Sequence, residues 1–117
     1  MEWMNQYKID RLSQEIGAEN IPMLIEIFLG ELEAYQKNLT SESVDSHLDY
    51  LAEISHALKS SAASFGADRL YAKAQMLDSL FKQGEAMDEA TEVASMIDEL
   101  NHTAKHYYRL INCSSMA

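Results

Sequence analysis

The residues best suited to chemistry lie on one predicted helix, where His56 is followed by Lys59 about one turn later. On a helical wheel with about 100° per residue, His56 falls roughly 160° from the apolar side of this helix, so its imidazole should face solvent. A neutral imidazole is a good nucleophile near neutral pH, and phosphoryl transfer needs an exposed nitrogen in line with the donor. Lys59 could offset part of the charge of an added phosphate. The pair therefore suits a phosphoryl carrier that uses Nε2 of His56.

The surface around His56 is predicted to be open, because small residues surround it. Ala52, Ser60 and Ala63 share its side of the helix, and Gly66 ends the helix. We expect these four residues to shape the surface on which a second protein approaches the imidazole. The pattern alone does not decide this interpretation, because an exposed histidine beside a lysine is usually ordinary solvated surface.

Two Glu-x-x-His pairs raise the alternative of a di-metal helical bundle, since such pairs supply ligands in di-iron proteins. They are Glu53 with His56 and Glu99 with His102. Those ligands must project into the bundle core, whereas both histidines fall about 160° to 180° from the apolar side of their helices. His102 and His106 could also chelate an ion, but their spacing is common on surfaces by chance. We therefore predict no metal site.

Length and composition predict one small domain over residues 1–117. The 117 residues allow one core, and the apolar fraction of 47% is enough to fill it. Nine Lys and Arg against nineteen Asp and Glu give a net charge of -10, which would repel a nucleic-acid backbone. We expect an independently folding monomer that does not bind nucleic acid.

Nothing in the sequence predicts export or membrane insertion. Residues 1–8 lack the basic and apolar regions of a secretory signal. The most apolar segment, residues 21–29, contains Pro22 and Glu26 and is much shorter than the ~20 residues of a membrane span. Cys113 is the single cysteine and has no second cysteine for a disulfide or a zinc site. These features predict a cytoplasmic protein.

The apolar spacing predicts helices and no strands, because apolar residues recur at intervals of three and four. The predicted helices cover roughly residues 3–16, 21–39, 48–65, 70–81 and 93–111, with a polar loop over residues 40–44. Four long helices joined by short loops should form an antiparallel bundle, with the short first helix across one end or side. The predicted fold class is an all-α four-helix bundle with an additional N-terminal helix.

The segment from His56 to Leu70 resembles the signature of histidine phosphotransfer domains. In that signature, the histidine is followed by lysine at plus three and glycine at plus ten, here Lys59 and Gly66. The resemblance extends to Phe81, and it implies a helical bundle that carries a phosphoryl group on His56. A plain helical adaptor would explain the helices equally well, so only this motif separates the two interpretations.

Two positions near the motif depart from the family pattern. The family commonly has glycine at plus four, where Ser60 adds a hydroxymethyl group beside the imidazole. Relatives often place a glutamine on the next helix, where it holds the second ring nitrogen of the histidine. Counting along the motif puts Asp78 at that position, which makes it a candidate partner of His56, with an ordinary exposed carboxylate as the alternative.

A narrower likeness covers most of the chain, since residues 12–22, 27–30 and 53–70 resemble a group of phosphorelay proteins of bacterial quorum sensing. It implies a phosphoryl group received from the receiver domain of a hybrid sensor kinase and passed to the receiver aspartate of a response regulator. The receiver would bring the Mg²⁺, so this chain needs no cofactor and has no kinase or phosphatase activity of its own. Met23 and Ile27 are candidates for docking the receiver, with bundle packing as the alternative.

Overall fold

The computed structural model describes residues 2–41 and 46–116, and side chains up to residue 112. Its elements are α1 (Gln6–Ile16), a one-turn 3₁₀ helix (Ala18–Asn20), α2 (Ile21–Thr40), α3 (His47–Phe65), α4 (Asp68–Lys82) and α5 (Glu89–Met116). The predicted all-α class is confirmed, and the described residues form no strand. Of the loop predicted over residues 40–44, Thr40 is instead the last residue of α2, and residues 42–44 lie outside the described part. The side chain of Cys113 also lies outside it.

The first helix begins three residues later than predicted, because Asn5 caps it. The side-chain oxygen of Asn5 accepts a hydrogen bond from the backbone N–H of Lys8, as an N-cap does. The side-chain amide of Asn5 donates to Asp68 at 2.9 Å, and its backbone N–H donates to the Gly66 carbonyl at 2.7 Å. These bonds attach the start of α1 to the turn between α3 and α4.

The long helices pair into a four-helix bundle around one core. The α3 helix packs along α4, α2 packs along α5, and α1 lies against α3 and α2. Asn38 bonds to Tyr50 near one end of the α2–α3 pair and Glu31 bonds to Ser61 further along, so these two helices run antiparallel. This arrangement is the predicted one, and it places the middle of α3 beside both α2 and α4.

The core is apolar and contains stacked aromatic rings. Phe28 stacks on Phe65 with ring centroids 4.6 Å apart, and Tyr107 meets Phe28 edge to face. The buried hydroxyl of Tyr107 donates a hydrogen bond to the Phe65 carbonyl at 2.6 Å, so the only polar atom of the Tyr107 side chain has a partner. This cluster lies at the end of α3 and ties it to α2 and α5. No helix in the described residues is long and apolar enough to cross a membrane.

Gly66 ends α3 in a left-handed conformation that alanine would adopt only with strain. Its φ is 77°, and an added Cβ would lie 2.9 Å from the Asn5 carbonyl oxygen. We expect Gly66→Ala to lower the free energy of unfolding by about 2 kcal/mol, from backbone strain and overpacking together. Urea unfolding monitored by circular dichroism measures this change.

Gly84→Ala is the matched control for that prediction. Gly84 has a similar φ of 73°, but an added Cβ would meet nothing within 4 Å. Its replacement should lower the free energy of unfolding by only about 1 kcal/mol, the strain contribution alone. Equal losses in the two variants would mean that the contact between Gly66 and α1 does not constrain the turn.

Candidate functional site

His56 lies in the middle of α3 with its side chain 69% exposed, which confirms the orientation predicted from the apolar spacing. The opposite side of this part of α3 is fully packed, since Ile54 and Leu58 are buried in the core. The helix is therefore fixed by its core face while the imidazole faces outward. A ring in this position is accessible to another protein.

Asp78 of α4 contacts the inner edge of the imidazole. Its Oδ1 lies 3.4 Å from Nδ1 of His56, and its side chain is only 8% exposed. The alternative of an ordinary exposed carboxylate is therefore wrong. The contact is longer than the 2.7–3.2 Å of a well-formed hydrogen bond, so a small rotation of the ring would complete it. With the carboxylate beside Nδ1, Nε2 is the ring nitrogen left for chemistry.

Two lysines hold the other oxygen of Asp78. Nζ of Lys59 and Nζ of Lys82 each lie 2.8 Å from Oδ2. The hydrogen bonds from Lys59 and Lys82 lower the pKa of Asp78 far below its ordinary value, although burial acts in the opposite direction. The hydrogen bond to Asp78 in turn raises the pKa of Lys59. Asp78 is therefore ionised at neutral pH, and two lysine side chains share one of its oxygens.

The contact that Lys59 makes differs from the expected one, and a second lysine, Lys82, belongs to the same cluster. Lys59 lies near His56 as expected, but its ammonium group is bound to Asp78 instead of standing free. Lys82 was not among the residues predicted to form the site. It lies four residues after Asp78, and oppositely charged residues at this spacing on a helix are neighbours that attract, so the spacing could have indicated the contact.

Three of the four small residues expected around His56 lie on the accessible surface. Ser60 and Ala63 are exposed and Ala52 is partly exposed. Gly66 is buried, and its inclusion in the approach surface is wrong. The start of α1 covers it, because the Asn5 carbonyl oxygen lies where a side chain would begin. Gly66 shapes the turn after α3, and the approach surface ends before it.

An exposed apolar strip lies on α2, the helix next to this surface. Met23 is 57% exposed and Ile27 is 62% exposed, so bundle packing does not explain these residues. Gly30 and Ala34 continue the strip at helical spacing and are also exposed. The α2 helix contacts α3 through the bond between Ser61 and Glu31. The apolar strip and the small residues of α3 therefore lie on adjacent helices.

The second Glu-x-x-His pair, Glu99 with His102, lies on α5 and is next to the N-terminal segment. The Trp3 ring stacks on His102 and His106, with centroid distances of 5.2 Å and 6.0 Å. Glu99 is mostly buried, and its Oε1 lies 3.9 Å from Nη2 of Arg69. Among the side chains that the structure describes, no three His, Cys, Asp or Glu residues converge as metal ligands would.

These observations define a class of protein: a helical bundle that presents a solvent-exposed histidine backed by a buried carboxylate. An exposed imidazole of this kind can accept a group from the active site of a partner. This is the arrangement of a histidine phosphotransfer domain.

Comparison with known proteins gives the particular family. The family model described as Hpt domain matches residues 23–106, and the chain belongs to this family of histidine phosphotransfer domains. It is 59% identical to phosphorelay protein LuxU of Vibrio cholerae over 95% of this chain and 98% of the relative. It is 53% identical to phosphorelay protein LuxU of Vibrio vulnificus strain YJ016, over 92% of this chain and 93% of the relative. The protein of the same name from Vibrio harveyi is 47% identical, over 91% and 92% of the two chains. No solved structure gives a significant match.

Proposed function

We propose that the protein is a phosphorelay intermediate that carries a phosphoryl group on Nε2 of His56. The contact between Nδ1 of His56 and buried Asp78 carries this proposal, because it assigns the two ring nitrogens different tasks. A proton on Nδ1 faces the carboxylate, which leaves the lone pair of Nε2 at the exposed edge.

The remaining three of the four histidines are less suited to this role. Nε2 of His47 lies 2.8 Å from the Ser41 carbonyl oxygen, and its Nδ1 lies 3.4 Å from Glu89. His102 and His106 lie against the Trp3 ring. Their rings are in structural contacts, whereas His56 has an open edge.

The transfer step forms one bond and breaks one. Nε2 of His56 attacks phosphorus while the bond from phosphorus to the carboxylate oxygen of the donor aspartyl phosphate breaks, and the aspartate leaves with the electron pair. Because Nδ1 keeps its proton, the phosphorylated ring becomes cationic. Asp78 stabilises this charge, as a buried carboxylate does behind other reactive histidines. The reverse sequence returns the phosphoryl group to another aspartate.

The partners in this proposal are two receiver domains. The first belongs to a hybrid sensor kinase and the second to a response regulator, and each would supply the aspartate and the Mg²⁺ that the transfer requires. The chain would then need no cofactor and would have no kinase or phosphatase activity of its own. The LuxU relatives, which are named phosphorelay proteins, support this role and a place in quorum sensing. We propose that the protein acts in the cytoplasm as a monomer.

The receiver is proposed to dock across α2 and α3. Met23 and Ile27 would provide apolar contacts, while Ser60 and Ala63 would let the receiver's active site approach the imidazole closely. The hydroxymethyl group of Ser60, one turn further along α3, does not bury the imidazole, since the His56 side chain is 69% exposed.

Incubation with a phosphorylated receiver domain of a hybrid kinase tests the function. Mass spectrometry under neutral or alkaline conditions, where phosphohistidine survives, should locate the label on His56. A response regulator should then remove it. Absence of label with several competent donors, all shown to be phosphorylated, would contradict the proposal and favour the helical adaptor.

Lys59→Ala should slow phosphoryl transfer from the receiver about three- to tenfold, because one of the two cations bound to Asp78, next to the reacting imidazole, is lost. The variant should keep the fold, since Asp78 retains its contact with Lys82. Rapid-quench measurement of labelled protein gives the rate, and Lys105→Ala, an exposed change on α5, is the control. Equal rates in both variants would remove the assigned role of Lys59.

A further inference from the structure

Two lysines of the described residues contact Asp78, and of these Lys82 lies outside the histidine-to-glycine signature of the phosphotransfer motif. We infer that Lys82 is a phosphate-binding residue: it holds Oδ2 of Asp78 in the free protein and turns to the phosphoryl oxygens once His56 is phosphorylated. This inference rests on the proposed function of His56.

The geometry of Asp78 places Lys82 next to the reacting histidine. One oxygen of the carboxylate contacts Nδ1 of His56 at 3.4 Å, and the other accepts from Nζ of Lys82 at 2.8 Å. The ammonium group and the imidazole are therefore separated by a single carboxylate. A lysine side chain is long and flexible enough to carry its ammonium group from one side of this carboxylate to the other without a change in the helix.

Two positively charged ammonium groups contact one carboxylate oxygen, so positive charge exceeds negative charge in this cluster. Lys59 and Lys82 both lie 2.8 Å from Oδ2, where they repel each other while neutralising one negative charge. A phosphoryl group on His56 would bring between one and a half and two negative charges, about as many as a phosphorylated side chain carries. Moving one lysine to it would relieve the repulsion between the ammonium groups and leave the other on Asp78.

Exposure indicates which lysine moves. The Lys82 side chain is 61% exposed and lies at the last turn of α4, whereas Lys59 is 32% exposed beside the packed face between α3 and α4. An exposed lysine loses little packing when it changes rotamer. Lys59 would remain as the main support of Asp78, and Lys82 would follow the phosphoryl group.

The test measures how strongly the protein retains the phosphoryl group. The full chain is labelled with phosphoramidate, a small donor that needs no docking surface, and then brought to equilibrium with a receiver domain and Mg²⁺. Lys82→Gln should shift this equilibrium about three- to fivefold toward the phosphorylated receiver, the size expected for one partly exposed charge pair. Lys82→Arg should stay close to the unmodified protein, and Lys105→Gln controls for the loss of one positive charge.

A second pair of variants separates phosphate binding from support of Asp78. In Asp78→Asn, which keeps the side-chain shape, Lys82 has no carboxylate to hold. If Lys82 contacts the phosphoryl group, adding Lys82→Gln to Asp78→Asn should still shift the equilibrium about threefold. If it acts only through Asp78, the added substitution should change nothing, and the inference is then wrong.

Different results would contradict the role of Lys82 and the proposed function of His56. Label on His56 with the same equilibrium in the unmodified, Lys82→Gln and Lys105→Gln proteins would overturn the role of Lys82 alone. If the unmodified protein takes up no label on His56 from either phosphoramidate or a phosphorylated receiver, the proposed function fails and the inference fails with it.

Discussion

His56→Gln should accept no phosphoryl group from any donor while keeping the helical content and stability of the unmodified protein. A glutamine amide is not a nucleophile at neutral pH, so the bond to phosphorus cannot form. The fold should tolerate the change because the imidazole is 69% exposed and contributes nothing to the core. Labelling by phosphoramidate and by a phosphorylated receiver, followed by mass spectrometry, measures the loss.

The chain offers a matched control in His102, which follows a glutamate by three residues just as His56 does. His102→Gln should leave phosphate acceptance unchanged, since its ring lies against Trp3 and far along the chain from the site. Normal labelling of His56→Gln, or loss of labelling in His102→Gln, would place the phosphoryl group on a residue other than His56.

The sequence was sufficient to predict which way His56 points, because the apolar series of α3 is regular. Leu51, Ile54, Leu58 and Ala62 are all buried, so the helical wheel has a well-defined inner direction. The inner direction of α2 is harder to predict from the sequence, because Ile25 and Leu29 are buried together with Phe28 and Leu32. A helix that packs against several neighbours buries a wider stripe than one seam of residues.

The partners of His56 could be predicted only in part. The motif placed Asp78 at the right position on α4, but the spacing says nothing of how deeply the carboxylate is buried or which cations reach it. Those properties depend on how α3 packs against α4, which brings Lys59 and Lys82 to the same oxygen. The burial of Gly66 likewise depends on a long-range contact, from the start of α1, that no local pattern contains.

Docking, in contrast to chemistry, should depend on residues that never touch the phosphoryl group. Ile27→Asp should reduce the rate of transfer from a phosphorylated receiver about 100-fold at low protein concentration. Loss of a central apolar anchor costs 2 kcal/mol or more at many interfaces, and an unpaired carboxylate facing the partner adds to that loss. Labelling by phosphoramidate should be unaffected, because this donor reaches the exposed imidazole directly.

Tyr108→Asp is the control for this prediction, since it introduces the same charge at an exposed aromatic residue of α5. Its transfer rate should match that of the unmodified protein. If Ile27→Asp also transfers normally, the apolar strip on α2 is not the docking surface. If it loses labelling by phosphoramidate as well, the substitution has disturbed the bundle. Loss of receiver transfer with normal phosphoramidate labelling would separate the two tasks of the molecule: α2 would recognise the partner, while α3 and α4 would hold the phosphoryl group.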